Sequence, residues 1–99
     1  MNEREKELTR AYERFCRDLC MILYEEDPAM IGSRIGAPKD EYREEAARLA
    51  AALRGFHSPH DLDRYLRDEL GSASDALVKR IRGAFARFRR ETTKLRAIR

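Results

Sequence analysis

The helical pattern of the chain is interrupted between Met21 and Tyr42. Five carboxylates lie within this stretch or just after it. Carboxylates that converge in this way can bind a hard metal ion or form an acid/base pair. The stretch lacks the regular oxygen-bearing alternation of a calcium loop. We therefore predict a corner of the fold that offers a protein-binding surface, with no metal and no catalytic residue. The five candidate residues are Asp27, Asp40, Glu41, Glu44 and Glu45.

A second set of side chains, Cys16, Cys20, His57 and His60, has the ligand types of a zinc site. Its spacing is poor, because Cys16 belongs to an apolar stripe and the histidines flank a helix start. Cysteines four apart on a helix place their Cβ atoms about 5 to 6 Å apart, which is wider than a disulfide allows. We expect free thiols, no cofactor and, since no phosphate loop or nucleophile motif occurs, no enzymatic activity.

Apolar residues recur at helical spacing in four segments. The helices that this spacing predicts hold the candidate residues in place. We predict helices over residues 2–26 and from residue 38 to a left-handed stop at Gly55. The SPHD motif, with Ser58 as the cap and the Asp61 carboxylate three residues later, should start a third helix that Gly71 stops, and Ser74 should cap a fourth. The last two turns of the first helix should be buried on most sides. Short connections favour antiparallel neighbours, so the expected fold is all-α: a single domain, 1–99, forming a four-helix up-down bundle with long first and last helices.

The long outer helices extend beyond the middle pair in this arrangement. Leu8, Tyr12, Phe88 and Leu95 are therefore expected to stay uncovered unless a second copy of the chain packs on them. This predicts a homodimer through the first and fourth helices.

Charge is divided unevenly along the chain. Residues 72–99 contain nine basic and two acidic residues, a net charge of +7, whereas residues 1–71 contain twelve basic and sixteen acidic residues, a net charge of −4. The overall charge of +3 therefore conceals a basic C-terminal helix attached to a mildly acidic body.

A basic helix of this kind can contact nucleic-acid phosphates. The alternative is a solvated face partly paired with Glu3, Glu5 and Glu7, which would lie near Lys94, Arg96 and Arg99 in an antiparallel bundle. The longest apolar run has only six residues, so no membrane partner is expected and a cytoplasmic location is predicted. The candidate nucleic-acid contacts are Arg80, Arg82, Arg87, Arg89, Arg90 and Lys94.

Three segments, LYEEDPAMIG at 23–32, PKDEYREEAARLAAAL at 38–53 and SPHDLDRYLRDELG at 58–71, resemble a widespread family of small bacterial helical proteins of unknown function. The family pattern is an Asp-Pro-x-x-Ile step, an Asp-Glu-Tyr helix start and a Tyr-Leu pair on a capped helix. The matching residues are Asp27, Pro28, Ile31, Asp40, Glu41, Tyr42, Tyr65 and Leu66.

This resemblance covers residues 16–71 and leaves out the basic C-terminal helix at 72–99. Glu26 stands where the family often has tryptophan. Members of the family include predicted immunity proteins, which bind and neutralise toxins. The resemblance thus implies a non-enzymatic protein of inhibitor or immunity type, whose partner is a toxin or a regulator, and nucleic-acid binding through the basic helix is the alternative.

Overall fold

Four α-helices form the regular structure of the residues that the computed structural model describes, 2–26 and 42–97, without the side chains of Pro59, Arg96 and Ala97. In chain order they are α1 (Glu3–Glu26), α2 (Arg43–Leu53), α3 (Pro59–Leu70) and α4 (Asp75–Ala97). α1 and α4 have 24 and 23 residues, against 11 and 12 in α2 and α3. The predicted all-α fold with long first and last helices is confirmed.

Polar side chains accept hydrogen bonds from the exposed backbone amides at two helix starts. Asn2 Oδ1 accepts from the Glu5 amide at 2.9 Å, and Ser74 Oγ accepts from the Leu77 amide at 3.1 Å. The predicted cap at Ser74 is confirmed, and α4 begins directly after it.

The start of α3 is stabilised by Asp61, as the SPHD motif predicts. Its Oδ2 accepts hydrogen bonds from the backbone amides of His57 at 2.7 Å and Ser58 at 3.2 Å. This is the carboxylate half of a capping box. These amides, His57 first, hold the pKa of Asp61 below its ordinary value, because they favour the ionised carboxylate.

The two predicted glycine stops have different outcomes. Gly71 ends α3 with a left-handed φ of 84°, and its amide donates to the Arg67 carbonyl at 3.1 Å. The prediction of a left-handed stop at Gly55 is wrong. α2 ends through Arg54, which stays right-handed, and the Gly55 amide donates to the Ala52 carbonyl at 3.0 Å in a tight turn that needs no positive φ.

The helices form the predicted up-down bundle, in which α1 packs mainly against α4 and α2. Arg14 in α1 pairs with Glu91 late in α4, and Glu25 at the end of α1 pairs with Arg80 early in α4. These two contacts require that α1 and α4 run antiparallel.

All four helices contribute to one apolar core, which the helical periodicity of the sequence predicts. Tyr42, which precedes α2, is completely buried in it. Met21 is 61% exposed, so the expectation that the last turns of α1 are buried on most sides is wrong there. It lies on the side of α1 opposite Leu19. The most deeply buried large side chains are Tyr42, Leu19, Leu23, Leu49, Leu66, Leu77 and Ile81.

Within the described ranges, no helix combines the length and the apolar character that crossing a membrane requires.

Replacing Leu19 with alanine should lower the free energy of unfolding by about 2 to 5 kcal/mol, because it leaves a cavity in the core. Met21→Ala, two residues away on the exposed side, should change it by about 0.5 kcal/mol or less. Urea unfolding followed by circular dichroism measures both. Equal losses in the two variants would contradict the described packing of α1.

Asp61 should make stability depend on pH in the acidic range. Its pKa in the folded protein lies below its ordinary value of 3.8, so its stabilising effect is complete above that value and is lost as pH falls through the folded pKa. Asp61→Asn should be less stable than the native protein near pH 7, and this difference should shrink on acidification. Asp68→Asn, an exposed change on the same helix, is the control. A difference that stays constant down to about pH 3 would contradict the role of Asp61.

Candidate macromolecule-binding surface

The solvent-facing side of α4 carries six exposed cations. The buried side chains of Leu77, Ile81 and Ala84 fix the other side of the helix against the core. From the first to the last cation the surface extends about 22 Å, at 1.5 Å per residue. We call this surface the α4 basic face; it consists of Lys79, Arg82, Arg87, Arg89, Arg90 and Lys94.

The positive charge of the α4 basic face is not neutralised within the described part of the chain. α4 has two acidic residues, Asp75 and Glu91, and Glu91 Oε2 accepts a hydrogen bond from Arg14 at 3.1 Å. None of the six cations forms an ion pair with another residue of the ranges 2–26 and 42–97. Exposed cations without an ion-pair partner in the described ranges are available to an external anion.

Arg80 differs from its neighbours, although it is one of the six predicted nucleic-acid contacts. Its Nη1 lies 3.2 Å from Glu26 Oε1, and its Nη2 lies 3.3 Å from Glu25 Oε1. These hydrogen bonds, that to Glu26 first, raise the pKa of Arg80 above its ordinary value. Arg80 therefore joins α4 to the end of α1, while the other five predicted cations stay on the open surface.

The aromatic rings of α4 face inward. Phe88 stacks on Phe15 with ring centroids 4.6 Å apart and an interplanar angle of 5°, and Phe85 stacks on the same ring at 5.8 Å and 26°. The guanidinium of Arg89 lies 5.8 Å from the centroid of Phe85. Neither phenylalanine is free to stack on a nucleic-acid base, so the α4 basic face can contact a partner through its charges and not through stacking.

The predicted acidic surface is only partly covered by the structure. Asp27, Asp40 and Glu41 lie outside the described residues. Glu44 is exposed on the first turn of α2, and one carboxylate oxygen of Glu45 lies 3.5 Å from Arg48 Nη2.

The other oxygen of Glu45 is buried and has no hydrogen-bond partner. Glu45 lines a cavity of about 40 Å³ between α2 and α3, together with Arg48, Tyr65 and Glu69. Burial raises the pKa of Tyr65, and the charges of Glu69 and Glu45 add to the effect. A cavity of this size is far smaller than a substrate pocket.

The cysteine and histidine residues of the candidate zinc site are separate from each other. Cys16 and Cys20 are half-buried on α1 and form no disulfide, as predicted, whereas His57 and His60 are exposed at the start of α3. No three His, Cys, Asp or Glu side chains in the described ranges are placed to hold a metal ion. Burial raises the pKa of the Cys16 thiol, which keeps it protonated near neutral pH.

The apolar positions expected to need a second copy are half-buried within one chain. Tyr12 and Phe88 contact each other edge to face, with ring centroids 6.0 Å apart, and Arg54 lies over the Tyr12 ring at 5.2 Å. Leu8 and Leu95 are covered to a similar degree. The monomer thus covers much of this surface, and the homodimer stays a prediction.

The acidic start of α1 pairs mainly within its own helix. Glu3 contacts Lys6 at 3.9 Å, and Glu7 contacts Arg10 at 2.8 Å. The side chains of Arg96 and Arg99, two of the cations expected to approach these acids, lie outside the described ones.

Sequence reasoning missed a row of three arginines on the open side of α1. Arg10, Arg14 and Arg17 are all exposed. Their spacing of four and three residues places them on one helix face, which is a readable signal. Arg10 pairs with Glu7 and Arg14 with Glu91, so within the described ranges it is Arg17 that adds unpaired positive charge beside α4.

Comparisons with protein-family models, with curated proteins and with solved structures give no significant match for this chain. The resemblance to the bacterial helical family therefore stays a prediction.

Proposed function

We propose that this protein is a non-enzymatic binding protein of inhibitor or immunity type, and that its α4 basic face holds an acidic surface of another protein. The observation that carries the proposal is the set of six exposed cations on one helix, none of which forms an ion pair within the described residues. Charge complementarity of this kind steers association and selects the partner. A toxin or a regulator with an acidic surface would be such a partner.

The support of α4 by the core favours this role. Its apolar side is buried against the other helices, so the cations project from a helix that is already ordered. A preformed surface avoids much of the entropy loss that binding otherwise requires. Arginine, which makes up four of the six cations, is enriched at protein interfaces because it forms both planar hydrogen-bond pairs and packing contacts.

The titration properties of the described groups fit a binding protein better than an enzyme. Burial raises the pKa values of Tyr12 and Cys16, which makes both groups less reactive at neutral pH. Asp61 and Arg80 have shifted pKa values because they serve a helix cap and a contact between helices. Each of these shifts therefore has a structural cause. Two cysteines that form no disulfide fit a reducing cytoplasm, which we propose as the compartment.

The α4 basic face is a better candidate than the acidic surface of α2. α2 has two described acids. Glu45 is half-buried and forms an ion pair with Arg48, whereas Glu44 is exposed and could contact a basic partner. A single exposed carboxylate contributes little to affinity.

The double variant Arg82→Glu/Arg90→Glu should lose the partner, because it reverses two charges at the centre of the α4 basic face. Native and variant proteins are immobilised, bound cellular proteins are quantified by mass spectrometry, and the identified partner is purified for calorimetry. We expect its affinity to fall by about tenfold or more.

Arg4→Glu/Arg64→Glu is the matched control, since it makes the same change of net charge at two exposed arginines outside α4. It should keep the partner. If both double variants retain the same partners with the same affinity, the α4 basic face is not the binding surface.

Nucleic-acid binding is the second candidate, and the length of the α4 basic face favours it. Cations distributed along about 22 Å of helix can follow a phosphate backbone. With Phe85 and Phe88 packed on Phe15, this contact would be limited to the backbone and would not depend on sequence.

Fluorescence anisotropy with labelled duplex DNA and RNA tests the second candidate. For about four phosphate contacts, affinity should fall about a hundredfold between roughly 50 and 200 mM salt. Arg82→Glu/Arg90→Glu should reduce the slope of log affinity against log salt. The control Arg4→Glu/Arg64→Glu should keep most of the slope of the native protein. Absence of binding at the lower salt concentration would exclude nucleic acid.

A further inference from the structure

Met21 is the most prominent exposed apolar side chain of the described residues, and it stands between two grooves. The groove between α1 and α2 has a volume of about 580 Å³, and the groove between α1 and α4 has about 350 Å³. Both are lined by Arg17 and Met21, so these two residues form a ridge on α1 with a groove on each side.

The α1–α2 groove presents an apolar floor. Cys16, Cys20 and Tyr24 line it from α1, where all three pack on the core, and Ala47 lines it from α2. The small side chain of Ala47 leaves room for a larger apolar group from outside. Methionine is flexible and polarisable, and it is over-used at surfaces that bind helices of other proteins.

The lining of the α1–α4 groove has a small excess of positive charge, because it contains three arginines and the two carboxylates of Asp18 and Glu91. Arg17 and Arg87 line it, both are exposed, and neither forms an ion pair within the described ranges. The carboxylate of Glu91 in the same groove is already bonded to Arg14. Arg87 also belongs to the α4 basic face, so the groove continues that surface.

We propose that this surface binds an acidic amphipathic α-helix of the partner protein. Apolar side chains on one face of that helix cover Met21 and enter the α1–α2 groove, while its carboxylates meet Arg17 and Arg87. The inference rests on the proposed function, because it specifies which element of an acidic partner is recognised.

The fold and the charges favour this occupant over others. Grooves between antiparallel helices suit a helix with anchors at i, i+4 and i+7, and the described residues form no strand whose edge could extend a sheet. A second copy packed symmetrically on this surface would bring Arg17 and Arg87, which have no ion-pair partner in the ranges 2–26 and 42–97, close to the same arginines of the first copy, which is unfavourable.

Two synthetic peptides of about 18 residues test the proposal, each labelled with fluorescein and built from leucine, alanine and glutamate. In one, the leucines form a single helical stripe; in the other, the same residues are scrambled. In about 0.15 M salt the striped peptide should bind about tenfold tighter by anisotropy. Amide chemical-shift changes should centre on Cys20, Met21 and Ala47.

Met21→Glu should weaken binding of the striped peptide about tenfold, because it places a negative charge where the apolar stripe docks. Ala47→Glu should do the same from α2. Both sites are exposed, so folding should be retained, which circular dichroism checks. Arg64→Ala is the matched control, since it makes the same change of net charge on α3, and it should bind as the native protein does.

Equal binding of the two peptides, with shifts confined to the α4 basic face, would overturn the groove while leaving the proposed function in place. Binding of neither peptide would also overturn it, and the Arg82→Glu/Arg90→Glu comparison alone then decides the proposed function. A dimer in sedimentation that Met21→Glu dissociates would identify a second copy as the occupant and would overturn the acidic helix.

Discussion

The stacking of Phe15 between α1 and α4 is the contact on which the rest of the structure depends. One ring of α1 meets two rings of α4, Phe85 and Phe88, and Leu77 and Ile81 extend the same buried side towards the start of α4. An aromatic pair contributes about 0.5 to 1.5 kcal/mol beyond the burial of its area, whereas an exposed ion pair contributes about 0 to 1 kcal/mol. Apolar packing, more than the ion pairs of Arg14 and Arg80, therefore holds the charged helix in the bundle.

This packing also determines which groups are available for binding. It turns the rings of α4 inward and the cations outward, so α4 offers charge without stacking groups. It brings α1 beside α4, where Arg17 and Arg87 edge the same groove and Met21 stays exposed. A positive surface next to an apolar groove can recognise an acidic helix by both of its faces. The proposed binding and the fold thus have one physical origin.

The fold could be predicted from the sequence because its determinants are local. Helical periodicity, the caps at Ser58 and Ser74 and the left-handed Gly71 specify the helices. Gly55 misled the prediction, since a glycine that ends a helix is also compatible with a right-handed turn, and only the neighbouring hydrogen bonds decide between the two. Met21 was misjudged because it belongs to an apolar run, whereas its direction on the helix points away from Leu19. The prediction of Arg80 as a nucleic-acid contact did not foresee that it pairs with Glu25 and Glu26. These contacts join residues more than fifty positions apart, and no local pattern encodes them.

Native-state amide hydrogen exchange by NMR tests most directly whether α4 is held by its apolar side while its cations remain in solvent. Amides from Leu77 to Thr92 should open with free energies within about 1 kcal/mol of those around Leu19 and Leu66, because α4 shares their core. If α4 exchanged at the rate of an unprotected peptide while α1, α2 and α3 stayed protected, it would not be part of the bundle, and the surfaces assigned to it would not exist in solution.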